Sequence, residues 1–133
     1  MKYQPTTIRL SFCIYGDYFE VDRVTDIIGL TPTETAYRGD RLEYRVSEET
    51  FWEYNFAPLE TLFIEDNLQV FAAQVMPCLE ALSSFIKAFS LTSKLLFCIE
   101  MSPKESCPAI VFDNKILELL HRLNAWIDID MYK

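Results

Sequence analysis

Glycine is scarce in this 133-residue chain, at three, and histidine occurs once, as His121. With only six prolines beside them, little of the chain is left for low-complexity sequence, and ten Phe, seven Tyr and two Trp supply the apolar area of a packed core. A glycine-rich phosphate loop and a G-x-S-x-G nucleophile elbow are both missing, which sets nucleotide-using enzymes and serine hydrolases aside. Any Ser-His or Cys-His mechanism has to use His121, and that residue sits on the flank of a helical pattern just past Leu120. No catalytic residue, cofactor or metal ligand set is assigned.

Long hydrophobic runs are lacking too. The longest charge-free apolar stretch, residues 67–79, is 13 residues and contains Gln, Asn and Pro, where a membrane span needs about 20. The first residues lead straight into an alternating segment without the features of a signal peptide, so a cytoplasmic protein is expected. Cys13, Cys78, Cys98 and Cys107 fall at spacings that match no zinc or redox motif and read as reduced, buried thiols.

The most informative absence is of basic residues. Residues 46–86 contain seven acids and no Lys or Arg, whereas the other 92 residues carry 13 acids and 12 bases, so nearly all of the formal charge of −8 belongs to one third of the chain. An acidic balance argues against nucleic acid and against an anionic membrane as partners, both of which call for clustered cations. Two readings of the acidic run remain: a solvated face that keeps the protein soluble, or an electrostatic docking surface for a basic protein. The second is favoured by interleaved aromatics and makes Glu48, Glu49, Phe51, Trp52, Glu53, Tyr54, Glu60, Glu65 and Asp66 the candidate partner-binding residues.

What is present has clear periodicity. Residues 7–15 alternate as a half-buried strand, and 20–30 carry Val21, Val24, Ile27 and Ile28 at helical spacing with Gly29 and Pro32 as stop signals. Residues 35–46 and 50–56 read as a pair of strands. The longest helical pattern covers 67–90 and is interrupted by Pro77, predicting a kink or a restart there. Strands are predicted at 94–101 and 108–112, a helix capped by Asp113 over 114–124, and a last alternating strand over 126–132. The order β-α-β-β-α-β-β-α-β predicts a single α+β domain with a mixed, mainly antiparallel sheet and about three helices on one face, ferredoxin-like in its first six elements.

Two smaller constellations offer an alternative ligand site. Asp128 and Asp130, two apart on a strand, share a face beside Trp126 and Tyr132 and could hold a cation or be merely solvated. Arg38 and Arg41, near Arg45, could bind an anion or pair with neighbouring acids. The tripeptide Arg38-Gly39-Asp40 has no extracellular context and reads as chance.

Several segments together resemble a family: Ile28-Gly29-Leu30-Thr31-Pro32-Thr33, then Tyr37-Arg38-Gly39-Asp40, the aromatic strand with Trp52, and the ending Ile127-Asp128-Ile129-Asp130-Met131-Tyr132. In this order and spacing the chain resembles, over nearly its whole length, the bacterial domain of unknown function 4279 family. Where that family has a glycine before its last strand this chain has Asn124-Ala125-Trp126, so the resemblance implies a left-handed turn at Asn124. It also implies structural roles for Gly29, Pro32 and Gly39. Small single-domain members are similar to immunity proteins of bacterial toxin systems. The expected function is therefore a non-catalytic binding protein that neutralises a cognate basic toxin. The alternative is a small-molecule or metal-binding regulatory domain, or a minor enzyme, using Arg38, Arg41, Asp128 and Asp130, and self-association as a homodimer stays open.

Overall fold

The computed structural model describes residues 4–133. Strand β1 (Thr7–Gly16) buries Ile8, Leu10, Phe12 and Ile14 on one face and turns Arg9, Ser11, Cys13 and Tyr15 to the other, as its alternation requires. Helix α1 (Val21–Ile28) buries Val21, Val24 and Ile28 and stops at Gly29, whose φ of 81° lets its N–H donate to the Thr25 carbonyl at 2.8 Å. Then come β2 (Glu34–Ala36), β3 (Thr50–Asn55) and β4 (Leu59–Glu60).

The long helical pattern is two helices, α2 (Ile64–Val75) and α3 (Leu79–Ala88), joined by a 3-10 turn at Met76–Cys78. Pro77 sits in that turn, where its missing N–H interrupts no long helix. Central strand β5 (Thr92–Glu100) leads through an irregular segment to α4 (Asn114–Arg122), capped by Asp113 accepting from the Ile116 N–H at 2.9 Å. Asn124 takes the left-handed conformation (φ 49°) between α4 and β6 (Ala125–Tyr132), and its amide donates to the Leu91 carbonyl at 3.0 Å.

The strands order as β2-β3-β1-β5-β6, with β4 continuing alongside β1 beyond the end of β3. All neighbours are antiparallel except β5 and β6, which are parallel across the α4 crossover. The order β5-β1-β3-β2 is the ferredoxin-like arrangement of the first two strand-helix-strand units, and α4 with β6 extends it at one edge. The helices pack on the face carrying Ile8, Leu10, Phe12 and Ile14, so the architecture is α+β with a mixed sheet covered on one side.

The aromatic core explains why. Phe12 meets Trp52 and Phe71 edge-on at centroid distances of 6.3 and 5.0 Å, and Phe56 reaches Phe71 at 6.2 Å. Trp52 is fully buried, its indole N–H donating to Thr25 Oγ1 on α1 at 3.0 Å. The segment from α2 through α3 is long and apolar enough to cross a bilayer, but Leu68, Phe71, Val75, Leu82 and Ile86 are buried, the pattern of a core helix.

Three expectations are corrected. Residues 108–112 form no strand. Ala109 makes a single bridge to Phe63 beside the start of α2, because β1 and β6 already occupy both sides of β5. Of residues 35–46 only Thr35 and Ala36 are strand; the rest is a loop closed by the Arg41 to Val46 bridge and a bend at Gly39 (φ 92°). The four cysteines are free, but none is fully buried and Cys107 is exposed.

Candidate functional site: the open face of the sheet

Because the helices lie on one side, the side chains of opposite parity form a second face on which no helix packs among the described residues. Register assembles it. Glu34 pairs with Glu53, Glu53 with Cys13, Cys13 with Lys94, and Lys94 with Trp126, one row across all five strands of the main path. The next rows bring Asn55, Ser11, Leu96 and Asp128 together, then Arg9, Cys98 and Asp130.

Electrostatics in the first row are one-sided. Burial raises the Glu53 carboxyl above its usual range, Glu34 adds repulsion, and Lys94 offsets part of this. Burial, with Glu53, Glu49 and Glu34 around it, pushes the Cys13 thiol up to about 12, which keeps it protonated and a poor nucleophile at neutral pH. At the far end Trp126, 46% exposed, reaches across β5 so that its indole N–H donates to the Tyr15 hydroxyl at 2.6 Å. The Lys94 ammonium lies 5.1 Å from the Trp126 ring centroid, a cation–π contact. Counted by register, the face carries Glu34, Glu53, Glu60, Glu100, Asp128 and Asp130 against Arg9 and Lys94.

The acidic run does not form one patch. Glu49 precedes Thr50, which pairs with Gly16, while Glu60 pairs with Thr7, so the two ends lie nine residues apart along β1, roughly 30 Å. Glu48 and Glu49 are exposed at one end. At the other, Glu65 and Asp66 occupy the first turn of α2, where carboxylates favour the helix N-terminus, and Asp66 accepts from the Thr61 hydroxyl. The aromatic part is corrected more strongly: Trp52 is core, and Tyr54 packs inward against Phe56 at 4.8 Å. Phe51 lies on the open side but is 9% exposed, opposite Tyr15 and Ala36. Of the run, Glu53 is the acid at the centre of the face.

Asp128 and Asp130 do share a face, as their spacing predicts, and that face is the one bearing Glu53. They do not meet the arginines. Arg38 is held at the Gly16 end by Asp17, 3.3 Å away, roughly 20 Å or more from either aspartate, and Arg41 lies in the exposed loop. Among the described residues no group of three or more His, Cys, Asp or Glu is placed to hold a metal ion.

The sequence reading missed Glu34, Lys94 and Trp126 as members of a shared row. Lys94 and Trp126 each occupy the polar-side parity of their strand, a signal visible in the alternation, but pairing was needed to join them. It also missed a groove of about 420 Å³ on the helical side, lined by the apolar Leu68, Ala72, Leu79, Ile116 and Leu119 together with the acids Glu65, Asp113 and Glu118 and the bases Lys115 and Arg122. Arg122 is already paired with Glu80 at 2.7 Å.

A family model described as a domain of unknown function, DUF4279, matches residues 6–133. The chain belongs to this family. No curated protein and no solved structure matches it. The DUF4279 match spans both faces of the sheet, from β1 to the end of β6, so both the core face and the acidic face lie within the family domain.

Proposed function

We propose that this DUF4279 protein is a non-catalytic, cytoplasmic binding protein that neutralises a basic protein partner, an immunity protein for a bacterial toxin, and that it does so through the open face of the sheet. The observation that carries this reading is the face itself: six carboxylates against two bases, spread over the strands, with a half-exposed indole at one end. Long-range attraction to such a surface speeds encounter, and an anchored aromatic slows release. Trp126 is held by Tyr15 and Lys94, so little side-chain freedom is lost when a partner covers it.

The test mixes the purified chain with the purified product of the reading frame beside its gene and follows association in real time. Saturable binding is expected, with the association rate falling about tenfold on Glu53→Lys with Asp128→Lys and falling further with added salt. Binding that ignores both the double change and ionic strength would overturn the electrostatic reading, and a partner contact mapped to the helices would move the surface.

The groove of about 420 Å³ favours a second reading, a regulatory domain for a small apolar ligand, since its size suits such a molecule. A ligand-induced rise in melting temperature that Ala72→Trp abolishes would support it.

A further inference from the structure

Strand β6 is the last strand on its side of the sheet: among the described residues it pairs with β5 and with nothing beyond. The phase of its hydrogen bonds follows from the two that flank the ladder, Ser93 N–H to the Asn124 carbonyl and Met101 N–H to the Tyr132 carbonyl. Even-numbered residues of β6 therefore direct their backbone groups at β5, and Ala125, Ile127, Ile129 and Met131 direct theirs outward. Their side chains point to the helical side, where the core is incomplete. Leu95 and Phe97 on β5 are fully buried, but their β6 neighbours Ile127 and Ile129 are only partly so, and Met131 is 45% exposed. An eight-residue strand with free donors and acceptors, an unfinished apolar layer on one side and Asp128 and Asp130 on the other is a template for one more strand.

A second copy fits poorly, because antiparallel pairing of two β6 strands in registers centred on the strand sets aspartate opposite aspartate. We propose that the outer edge of β6 takes up an extended segment of the basic partner, with apolar residues alternating with Lys or Arg. Its apolar side chains continue the layer of Ile127, Ile129 and Met131, and its cations face Asp128 and Asp130. This rests on the open face being the surface for a basic protein, and adds how the partner's backbone is held.

The probe is an end-capped octapeptide alternating Val and Lys, added to the isotope-labelled full chain. Saturable binding is expected, with amide exchange at Ile127 and Ile129 slowed about tenfold or more and affinity weakened about tenfold by Asp128→Asn with Asp130→Asn. N-methylation of the peptide along one edge abolishes binding without altering the protein, and Met131→Pro removes an outward N–H without touching a bond to β5. A Val/Glu peptide that binds as well, protection that survives N-methylation of each edge in turn, or a β6-paired dimer dissolved by Met131→Pro would overturn the proposal. A partner that needs Glu53 yet leaves Ile127 and Ile129 exchanging freely overturns strand addition alone. Peptide protection without any Glu53-dependent partner keeps the edge and overturns the wider reading.

Discussion

The two tryptophans of this chain sit on opposite faces of one sheet. Trp52 is sealed between β3 and α1 with its N–H satisfied by Thr25, so it belongs to a layer in which Phe12, Phe71 and Phe97 are fully buried. Trp126 satisfies its N–H just as well, through Tyr15, but lies 46% exposed over a row of charged groups. Satisfaction of the indole is therefore no guide to which tryptophan is available to a partner. What separates them is the presence or absence of helices over the face, and that follows from strand parity.

The largest expected effect breaks the comparison at its core. Trp52→Ala should destabilise the protein by about 3–5 kcal/mol, whereas Trp126→Ala should cost within about 1 kcal/mol, both read from urea unfolding. Equal costs would mean that the faces are not energetically distinct. Next is Asn67, a polar residue buried on the helical side whose amide holds the Ile8 carbonyl at 3.1 Å. Asn67→Ala leaves that carbonyl without this partner, and a loss of about 1–3 kcal/mol is expected in the same assay.

Glu53 tests the open face through pH. Its carboxyl is raised above 4.5 in the folded state, so the native protein binds the proton more tightly than the unfolded chain. That contribution is fully present below pH 4.5 and is lost as pH rises through the higher folded value. Glu53→Gln should thus raise stability at neutral pH, with the gain shrinking as pH falls through the raised folded value and gone below pH 4.5, in melting curves taken across that window. The smallest effect belongs to the exposed Arg9 to Glu100 pair, 3.6 Å apart. Arg9→Ala should shift stability by less than about 0.5 kcal/mol, and a larger change would show that the open face carries structural weight.

Much of the fold was legible residue by residue. The alternation of β1 and β6 assigned their faces, Gly29 and Asp113 marked helix ends, and Asn124 adopts the left-handed turn that a missing glycine left to it. These are local signals, because each depends on one residue's backbone preference or on a period within one element. Residues 108–112 had strand composition and became a loop, since sheet positions are limited by which edges other strands have taken. The candidate site was legible only in part: Glu53, Asp128 and Asp130 were all noted, but as members of two separate sites.

By itself, then, the sequence determined an acidic α+β chain with a large aromatic core, the parity of its main strands and the points at which its helices stop. Tertiary structure alone decided that Trp52 is buried while Trp126 is not, and that the acids of 46–86 are spread from one end of the sheet to the other and onto α2 and α3 instead of gathered in one patch. It also decided that Glu34, Glu53, Asp128 and Asp130 share a surface. The physical reason is common to all three. Periodicity within an element fixes which side a residue faces, but only pairing between distant strands, and the side on which the helices dock, decides what it faces there.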